Sequence, residues 1–497
     1  MTSPKTGDNG LIRLCVLAVV AGCVTGVLGG AFRWCLDHLT RWRLEMLDWS
    51  LGLGIPGWFV PVAVTATGAA FGAFVAKLVP VSAGSGIQHV EAVDRGETGP
   101  APLRVIPARF FGGLVAIGSG LILGREGPTV HMGAVVGSET ARRVHLDDHD
   151  ARVMQTALSG AGLAVAFTAP LAGALFALEE VAKTFRMRLV IPTVFAVAVA
   201  VAVARVILGD RPDFIVEAVE SPSITLLPVF VVFGLISGVI GIAYGRTVLG
   251  AIALVRRFTH IPRIAKAAII GGFIGALMVI DSGAAGGGEG LAQSIFDGSV
   301  VLPIVVLLLV VRFFAGPLSY AAGTPGGLFA PMLALGALWG VLFAAGFEVF
   351  LPQADPTLRD ALILTGMAAL FGAVVRAPLT GMVVVMEMSA TTAVVIPMLA
   401  ATVAAVLVAQ LSGTPPVYDS LRELMLADDA ARKKASENDP GPKGSVPKGS
   451  GEQDPGEKAP GAKGPGAKGP GEKDSGEKNA DERDSDEKDS HDGDSTP

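Results

Sequence analysis

Long apolar runs separated by short polar breaks organise this chain from end to end. They fall at 11–32, 58–79, 110–123, 151–178, 189–208, 224–255, 264–280, 300–314, 326–350, 361–388 and 390–411, with few charges inside them. A helix needs roughly 20 predominantly apolar residues to cross a bilayer. Some of these runs exceed that length, others fall short, and several carry Gly or Pro near the middle. Short, interrupted runs predict broken helices, which a membrane tolerates only where the freed peptide groups line a cavity or are packed by protein.

Composition agrees with this pattern. Of 497 residues 51% are hydrophobic and 17% charged, far from soluble globular usage and typical of an all-α polytopic membrane protein, with the lipid bilayer as its surroundings. The formal net charge of −6 describes a charged tail rather than a binding face, so no nucleic-acid partner is implied. The first run follows Lys5 and precedes no clear small-residue cleavage site, so it reads as a retained helix rather than a cleaved signal. Cys15, Cys23 and Cys35 lie in or just past it, at spacings that do not bring them onto one turn, and read as helix filler. Residues 1–10 are a short N-terminus, 11–426 a membrane domain, and 427–497 a tail. From Asp439 the tail holds a single residue, Val446, of the Val/Ile/Leu/Met/aromatic set and repeats as PGEKA, PGAKG, PGAKG, PGEKD. It cannot bury a core and reads as disordered. Glycine is not at every third position, which excludes a collagen helix.

The membrane domain contains an internal repeat. "GREGPTVHMGAVVG" (124–137) lies over "GLFAPMLALGALWG" (327–340), setting Gly124, Pro128, Gly133 and Gly137 on Gly327, Pro331, Gly336 and Gly340 at an offset of 203. "APLAGALFALEE" (169–180) lies over "APLTGMVVVMEM" (377–388) at 208, and "AGSGIQ" (83–88) over "AGGGEG" (285–290) at 202. Two related halves, about 11–208 and 224–426, follow. Repeated halves with interrupted helices are the pattern of secondary transporters, whose sites are built from half-helix N-termini near the midplane. Such ends present unsatisfied N–H groups and partial positive charge, so several converging would hold an anion without a metal.

The candidate chemistry sits at those ends. Arg125 and Glu126 interrupt a charge-free stretch, and charged groups at membrane depth are generally functional or paired. Adjacent helical residues point about 100° apart, so these two pair poorly with each other. A glutamate at a helix N-terminus facing an anion site can fill that site as an anion and leave it when protonated. Glu179 and Glu180 end an apolar run, as a solvated helix end or as a proton relay. Ser85 lies between two glycines, in a helix-capping loop or at a site. Tyr320 and Tyr418, two of three tyrosines, lie beside apolar runs, where aromatic anchoring at the membrane interface is the plain expectation. "HLDDHD" places His145 and His149 at metal-compatible spacing but reads more naturally as a solvated loop. Ser159 has no evident histidine partner, which disfavours an intramembrane hydrolase.

Together "GSGIQ", "GREGP", "GGLFAP" and the tyrosine of "PPVYDSL", in that order from about 84 to 418, resemble the CLC family of chloride channels and chloride/proton exchangers. The resemblance implies two inverted-topology repeats of tilted and broken helices, a homodimer with one anion pathway per subunit, no enzymatic activity, no cofactor, chloride and protons as the transported species, and a multi-pass protein of the cell membrane with both termini cytoplasmic. It implies that Ser85 and Tyr418 donate hydroxyls to chloride, and that backbone N–H groups of Leu328 and Phe329 complete that site. The backbone around Arg125, Glu126 and Gly127 would hold a more external ion. Glu126 corresponds to the gating glutamate and Glu180 to the inner proton glutamate of exchangers, a position usually uncharged in channels. Serine at 85 resembles chloride-selective members. Gln88 stands where proline is commoner, His131 where glutamine is frequent, and Tyr320 where the aromatic is often Phe.

Overall fold

The computed structural model describes residues 5–210, 212–216, 220–350 and 357–438. Among them are seventeen α-helices. The first half runs α1 (Lys5–Leu51), α2 (Phe59–Leu78), α3 (Ile87–Asp94), α4 (Val105–Gly118), α5 (Glu126–Arg143), α6 (Asp148–Phe167), α7 (Pro170–Phe176) and α8 (Met187–Leu208). The second repeats it as α9 (Leu227–Arg257), α10 (Arg263–Ile280), α11 (Glu289–Phe296), α12 (Leu302–Ala321), α13 (Phe329–Phe350), α14 (Leu358–Val375), α15 (Pro378–Ser389) and α16 (Val395–Leu411). A last helix, α17 (Val417–Asn438), follows. Among the described residues eight helices are long and apolar enough to cross a membrane, and large apolar side chains such as Val16, Val194 and Phe273 face outward on them. The chain is a multi-pass integral membrane protein.

Each apolar run has become a helix, and two have become a pair. The run 151–178 breaks at Thr168–Ala169–Pro170 and the run 361–388 at Arg376–Ala377–Pro378. The cause is local. Proline cannot donate to the preceding turn and disfavours helical geometry in the residue before it. Thr168 and Arg376 close their helices in the left-handed region, at φ 50° and 72°, and Pro170 and Pro378 then open the next ones, where a missing N–H costs nothing.

The halves meet about a pseudo-two-fold axis. Gly124 N–H donates to Gly327 O at 2.9 Å and Gly327 N–H to Gly124 O at 2.8 Å, so repeat mates exchange identical bonds, as a two-fold requires. The same reciprocity caps the short helices. Glu179 accepts from the N–H groups of Leu379 (3.1 Å) and Thr380 (2.7 Å) at the start of α15. Glu387, its repeat mate, accepts from Leu171 (3.0 Å) and Ala172 (2.8 Å) at the start of α7. Each carboxylate thus satisfies two orphan donors of the other half's helix and meets its positive end. Within each half the packing also repeats: α1 lies on α8 and α5 on α6, as α9 lies on α16 and α13 on α14. Close approach there needs glycine. A Cβ on Gly133 would lie 2.2 Å from Leu158 O, and one on Gly336 2.4 Å from Gly366 O.

Several expectations change. The first helix extends well beyond 32, to Leu51. Helix α17 continues to Asn438, so the tail boundary set at 427 falls inside a helix; the segment "VYDSLRELMLADDAARKKASEN" has few helix breakers. Residues 439–497, the expected disordered tail, lie outside the described residues. Tyr320 and Tyr418 are buried rather than anchored at an interface. Glu179 is a cap and Glu180 is buried, so neither is a solvated helix end. In the "HLDDHD" loop Asp147 caps α6 through Asp150 N–H (2.8 Å), and Asp150 holds Arg188 at 2.8 Å. Asp147, His149 and Asp150 cluster there, with the carboxylates of Asp147 and Asp150 already engaged, and His145 stands apart. Ser159 donates to Thr156 O at 2.7 Å.

Replacing Glu387 with Ala should destabilise the protein by about 1–3 kcal/mol, because two helix N–H groups lose a charged acceptor, and Glu387→Gln by less. Thermal unfolding in detergent measures both, and equal stability of Glu387→Ala and wild type would contradict the reciprocal cap.

Candidate functional site

The two glycine-bridged breaks bring the N-termini of α5 and α13 together, and Glu126, the first residue of α5, reaches across. Its Oε1 accepts from Phe329 N–H at 2.6 Å. The side chain is wholly buried, and its Oε2 has no partner among the described residues. Only glycine fits on either side: a Cβ on Gly327 would lie 2.0 Å from Oε1, and one on Gly124 2.0 Å from Oε2. Gly127 is equally confined, with its would-be Cβ 2.7 Å from Ser85 O. The carboxylate therefore occupies the positive end of the other half's helix, where an anion is stabilised by N–H groups and dipole. Leu328 N–H, just before α13, has no protein acceptor among the described residues.

Arg125 does not pair with Glu126. Its guanidinium bonds Asp213 at 3.1 Å and lies 3.6 Å from Asp37 and 3.7 Å from Glu289. Asp213, from the segment joining the halves, also holds Arg33. This cluster compensates the arginine and leaves only backbone to define the helix start at 125–127.

Below Glu126 lie two hydroxyls. Ser85 Oγ and Tyr418 Oη lie within reach of each other, both fully buried, and neither has any other hydrogen-bond partner among the described residues. Buried hydroxyls are normally satisfied, so two orphaned donors side by side mark a place for a hydrogen-bond acceptor. The Tyr418 ring packs 5.7 Å from that of Phe329, which in turn contacts Phe371 at 4.5 Å and Phe176 at 5.9 Å. Asp419, the next residue, fixes the start of α17 by bonding Arg95 (2.7 Å) and Lys183 (3.1 Å). Ser85, Glu126, Phe329 and Tyr418 thus gather at one buried place, with Leu328 and Gly127 beside them in the chain.

Glu180, like Glu126, is within electrostatic reach of Tyr418. It is 2% exposed, on a single π-helical turn, Ala177–Val181, that continues α7. Such turns recur at functional positions. Beside it lies Glu91 of α3, 0% exposed, and Arg422 Nε is 3.9 Å from Glu91. Two buried carboxyls in contact carry one negative charge at lower cost than two.

Sequence reasoning passed over Glu91 and a buried arginine. Arg109 threads the loop that carries Ser85, donating to Gly84 O, to Ser85 O at 3.0 Å and to Val81 O at 3.3 Å, while its Nε donates to His131 Nδ1 at 3.0 Å. Accepting there fixes the His131 proton on Nε2. Arg312 grips Gly283 O (2.7 Å) and Gly286 O (2.9 Å) in the other half. The signal was present as a fourth repeat block, "RFFGG" (109–113) over "RFFAG" (312–316), at the same offset of 203.

Halves of broken helices, inverted about an axis and converging on one buried passage, define a membrane transport protein of the inverted-repeat class. The chain belongs to the voltage gated chloride channel family, whose model matches residues 67–410. It is 34% identical over 426 residues to the H(+)/Cl(-) exchange transporter ClcA of Vibrio parahaemolyticus, covering 84% of this chain and 91% of that one. To the ClcA of Vibrio cholerae it is 35% identical over 414 residues, 82% and 88% of the two chains. Among solved structures, a slow cyanobacterial Cl−/H+ antiporter superposes with a TM-score of 0.77 at 29% identity over 84% of this chain and 98% of that one. A CLC-type fluoride/proton antiporter gives 0.67 at 23% identity over 82% and 96%, a likeness of fold.

Because Ser85 Oγ and Tyr418 Oη bond nothing but each other among the described residues, the double replacement Ser85→Ala, Tyr418→Phe, which removes both at once, should leave stability in halide-free buffer unchanged or raise it. Hydroxyls engaged in the fold would cost about 1 kcal/mol each. Thermal unfolding in sulfate or gluconate buffer distinguishes the two.

Proposed function

We propose that the protein exchanges chloride for protons across the cell membrane by secondary active transport. The observation that carries this reading is the Glu126 carboxylate bonded to Phe329 N–H: a side chain stands as an anion at the end of a severed helix. Chloride competes for the same donors. Protonated, Glu126 loses its charge and its hold on the helix end, so chloride occupancy and protonation favour each other, and by linkage the coupling is reciprocal. The naming of its relatives as H(+)/Cl(-) exchange transporters supports the same reading.

In this mechanism chloride is held by the hydroxyls of Ser85 and Tyr418 and by N–H groups of Leu328 and Phe329. A more external ion rests on backbone at Arg125 and Gly127 when Glu126 swings away. Glu180 takes protons from the cytoplasmic side and passes them toward Glu126, the two ions sharing the Tyr418 region and diverging below it. The protein is a transporter rather than an enzyme and needs no cofactor. Both termini are cytoplasmic.

The working unit is a homodimer. Helices α7 and α15 have 7 and 12 residues, too few to span a bilayer, and their caps are only partly sheltered. Leu171, whose N–H Glu387 accepts, is 65% exposed, and Leu379 is 43% exposed. Carboxylate caps at membrane depth are costly against lipid, and a second copy covering this face shields them.

Reconstituted in liposomes under a chloride gradient, the protein should drive protons uphill; chloride flux without proton movement would make it a passive channel. Glu180→Gln should abolish proton movement while leaving chloride flux, and an unchanged proton flux would remove Glu180 from the pathway. Glu126→Gln or Glu126→Ala should uncouple the ions altogether, read as chloride flux that is insensitive to an imposed pH gradient.

A further inference from the structure

The loop Ala83–Gln88 carries Ser85 at the head of α3, and its outer side faces a cavity of about 230 Å3 lined by Gly84, Gly86, Gln88, His89 and Tyr320. The rim of that cavity carries Arg256, Arg263, Lys266 and Arg432 against Asp428 and Asp429, a net positive charge. Arg256 and Lys266 are engaged, by Asp428 at 2.6 Å and by Val255 O at 3.0 Å. Arg263, at the N-terminus of α10, has no acidic partner within ion-pair distance among the described residues, whereas Arg432 nearby lies 3.9 Å from Asp429. An anion entering here meets favourable potential on its way to Ser85.

Tyr320, in the last turn of α12, stands between the cavity and the Ser85–Tyr418 pair. It is 5% exposed. Its phenol oxygen accepts from Ser85 N–H at 3.2 Å and from the Gln88 side chain. Gln88 Oε1 is the amide atom without a partner, so it is the amide nitrogen that meets the phenol. Two N–H donors thus fill the acceptor side of the Tyr320 oxygen, and a tyrosine has one hydrogen of its own to give. That O–H finds no protein acceptor among the described residues. Gly84, against which the hydroxyl packs, would place a Cβ 2.9 Å from it, so the approach to the phenol is kept open by the absence of a side chain there.

We propose that Tyr320, oriented by Gln88, is a third hydroxyl donor on the anion path, one that receives a small, charge-dense anion from the basic cavity and hands it to Ser85 and Tyr418. The identity of that anion as chloride rests on the proposed exchange function. Because both N–H groups meet the oxygen, the phenol hydrogen is left for an acceptor outside the loop. Gln88 is a positioning residue: it touches the phenol, and the phenol touches the ion. The two polar residues act as a unit, since a phenylalanine at 320 would leave Gln88 and Ser85 N–H without their acceptor, and a proline at 88 could not hold the phenol.

The test is chloride titration by calorimetry on the full chain in detergent, with thiocyanate as the comparison anion, followed by exchange in liposomes. Tyr320→Phe should weaken chloride binding roughly tenfold, the scale of one hydrogen bond to a charged partner. Thiocyanate, which spreads its charge and accepts hydrogen bonds weakly, should lose less, so the chloride preference falls while the proton-to-chloride ratio holds. Gln88→Glu sets a carboxylate beside the phenol that takes its hydrogen, and should cost chloride affinity at least as much. If Tyr320→Phe does not fold, Gln88→Glu decides. Wild-type affinity and wild-type chloride preference in the folded variants would overturn the role of Tyr320. A wild-type protein that itself binds no chloride would overturn the proposed function instead.

Discussion

A helix cut inside a bilayer exposes peptide N–H groups that no water can satisfy, and nearly every polar residue of consequence in this protein answers that problem. The breaks before α7 and α15 are closed by Glu387 and Glu179, each supplied by the opposite half. The break before α13 is closed by Glu126. The loops before α3 and α11 are gripped through their carbonyls by Arg109 and Arg312. The first pair of acids is pinned and can only hold the fold. Glu126 is set apart because its second oxygen bonds nothing among the described residues; in the proposed function it yields the helix end it covers to another anion. The same electrostatic solution thus serves as structure in one place and, in the proposed function, as a movable occupant in another.

The symmetry explains why the passage lies where it does. Gly124 and Gly327 bond each other across the axis, and any side chain on either would collide with the Glu126 carboxylate. On one side of this bridge the halves diverge in sequence. The first half contributes Ser85, Glu126 and Glu180, and α17 adds Tyr418 from outside the repeat. The second half has kept the scaffold and lost the acids: Pro331 and Ala330 follow Phe329 where Pro128 and Gly127 follow Glu126, and Met388 stands in place of Glu180. Repetition built the frame, and departures from repetition made the site.

Around the serine loop, side chains that look out of place in isolation satisfy one another. Gln88 and Tyr320 share the phenol oxygen with Ser85 N–H. His131 takes the Nε hydrogen of Arg109, and the His89 ring lies 5.1 Å from it. Each polar substitution at this depth would be costly alone. In pairs the donors and acceptors are largely matched, which is how a buried polar network stays tolerable.

Much was legible in the chain by itself. Apolar run length gave the helices, Gly and Pro inside the runs gave the expectation of broken helices though not the break points at Thr168–Pro170 and Arg376–Pro378, and the repeat offsets gave the halves, because these depend on neighbours in sequence or on copies of one segment. The motif glycines and Glu126 were visible for the same reason. The reciprocal caps could not be read, although Glu179 and Glu387 are aligned in the repeat, because which helix end a carboxylate reaches depends on how two halves dock. Glu91 beside Glu180, Asp213 on Arg125 and Tyr320 over Ser85 were equally closed to sequence. Each joins elements far apart in the chain, and only their packing decides whether a buried charge or hydroxyl finds a partner or is left free to bind one.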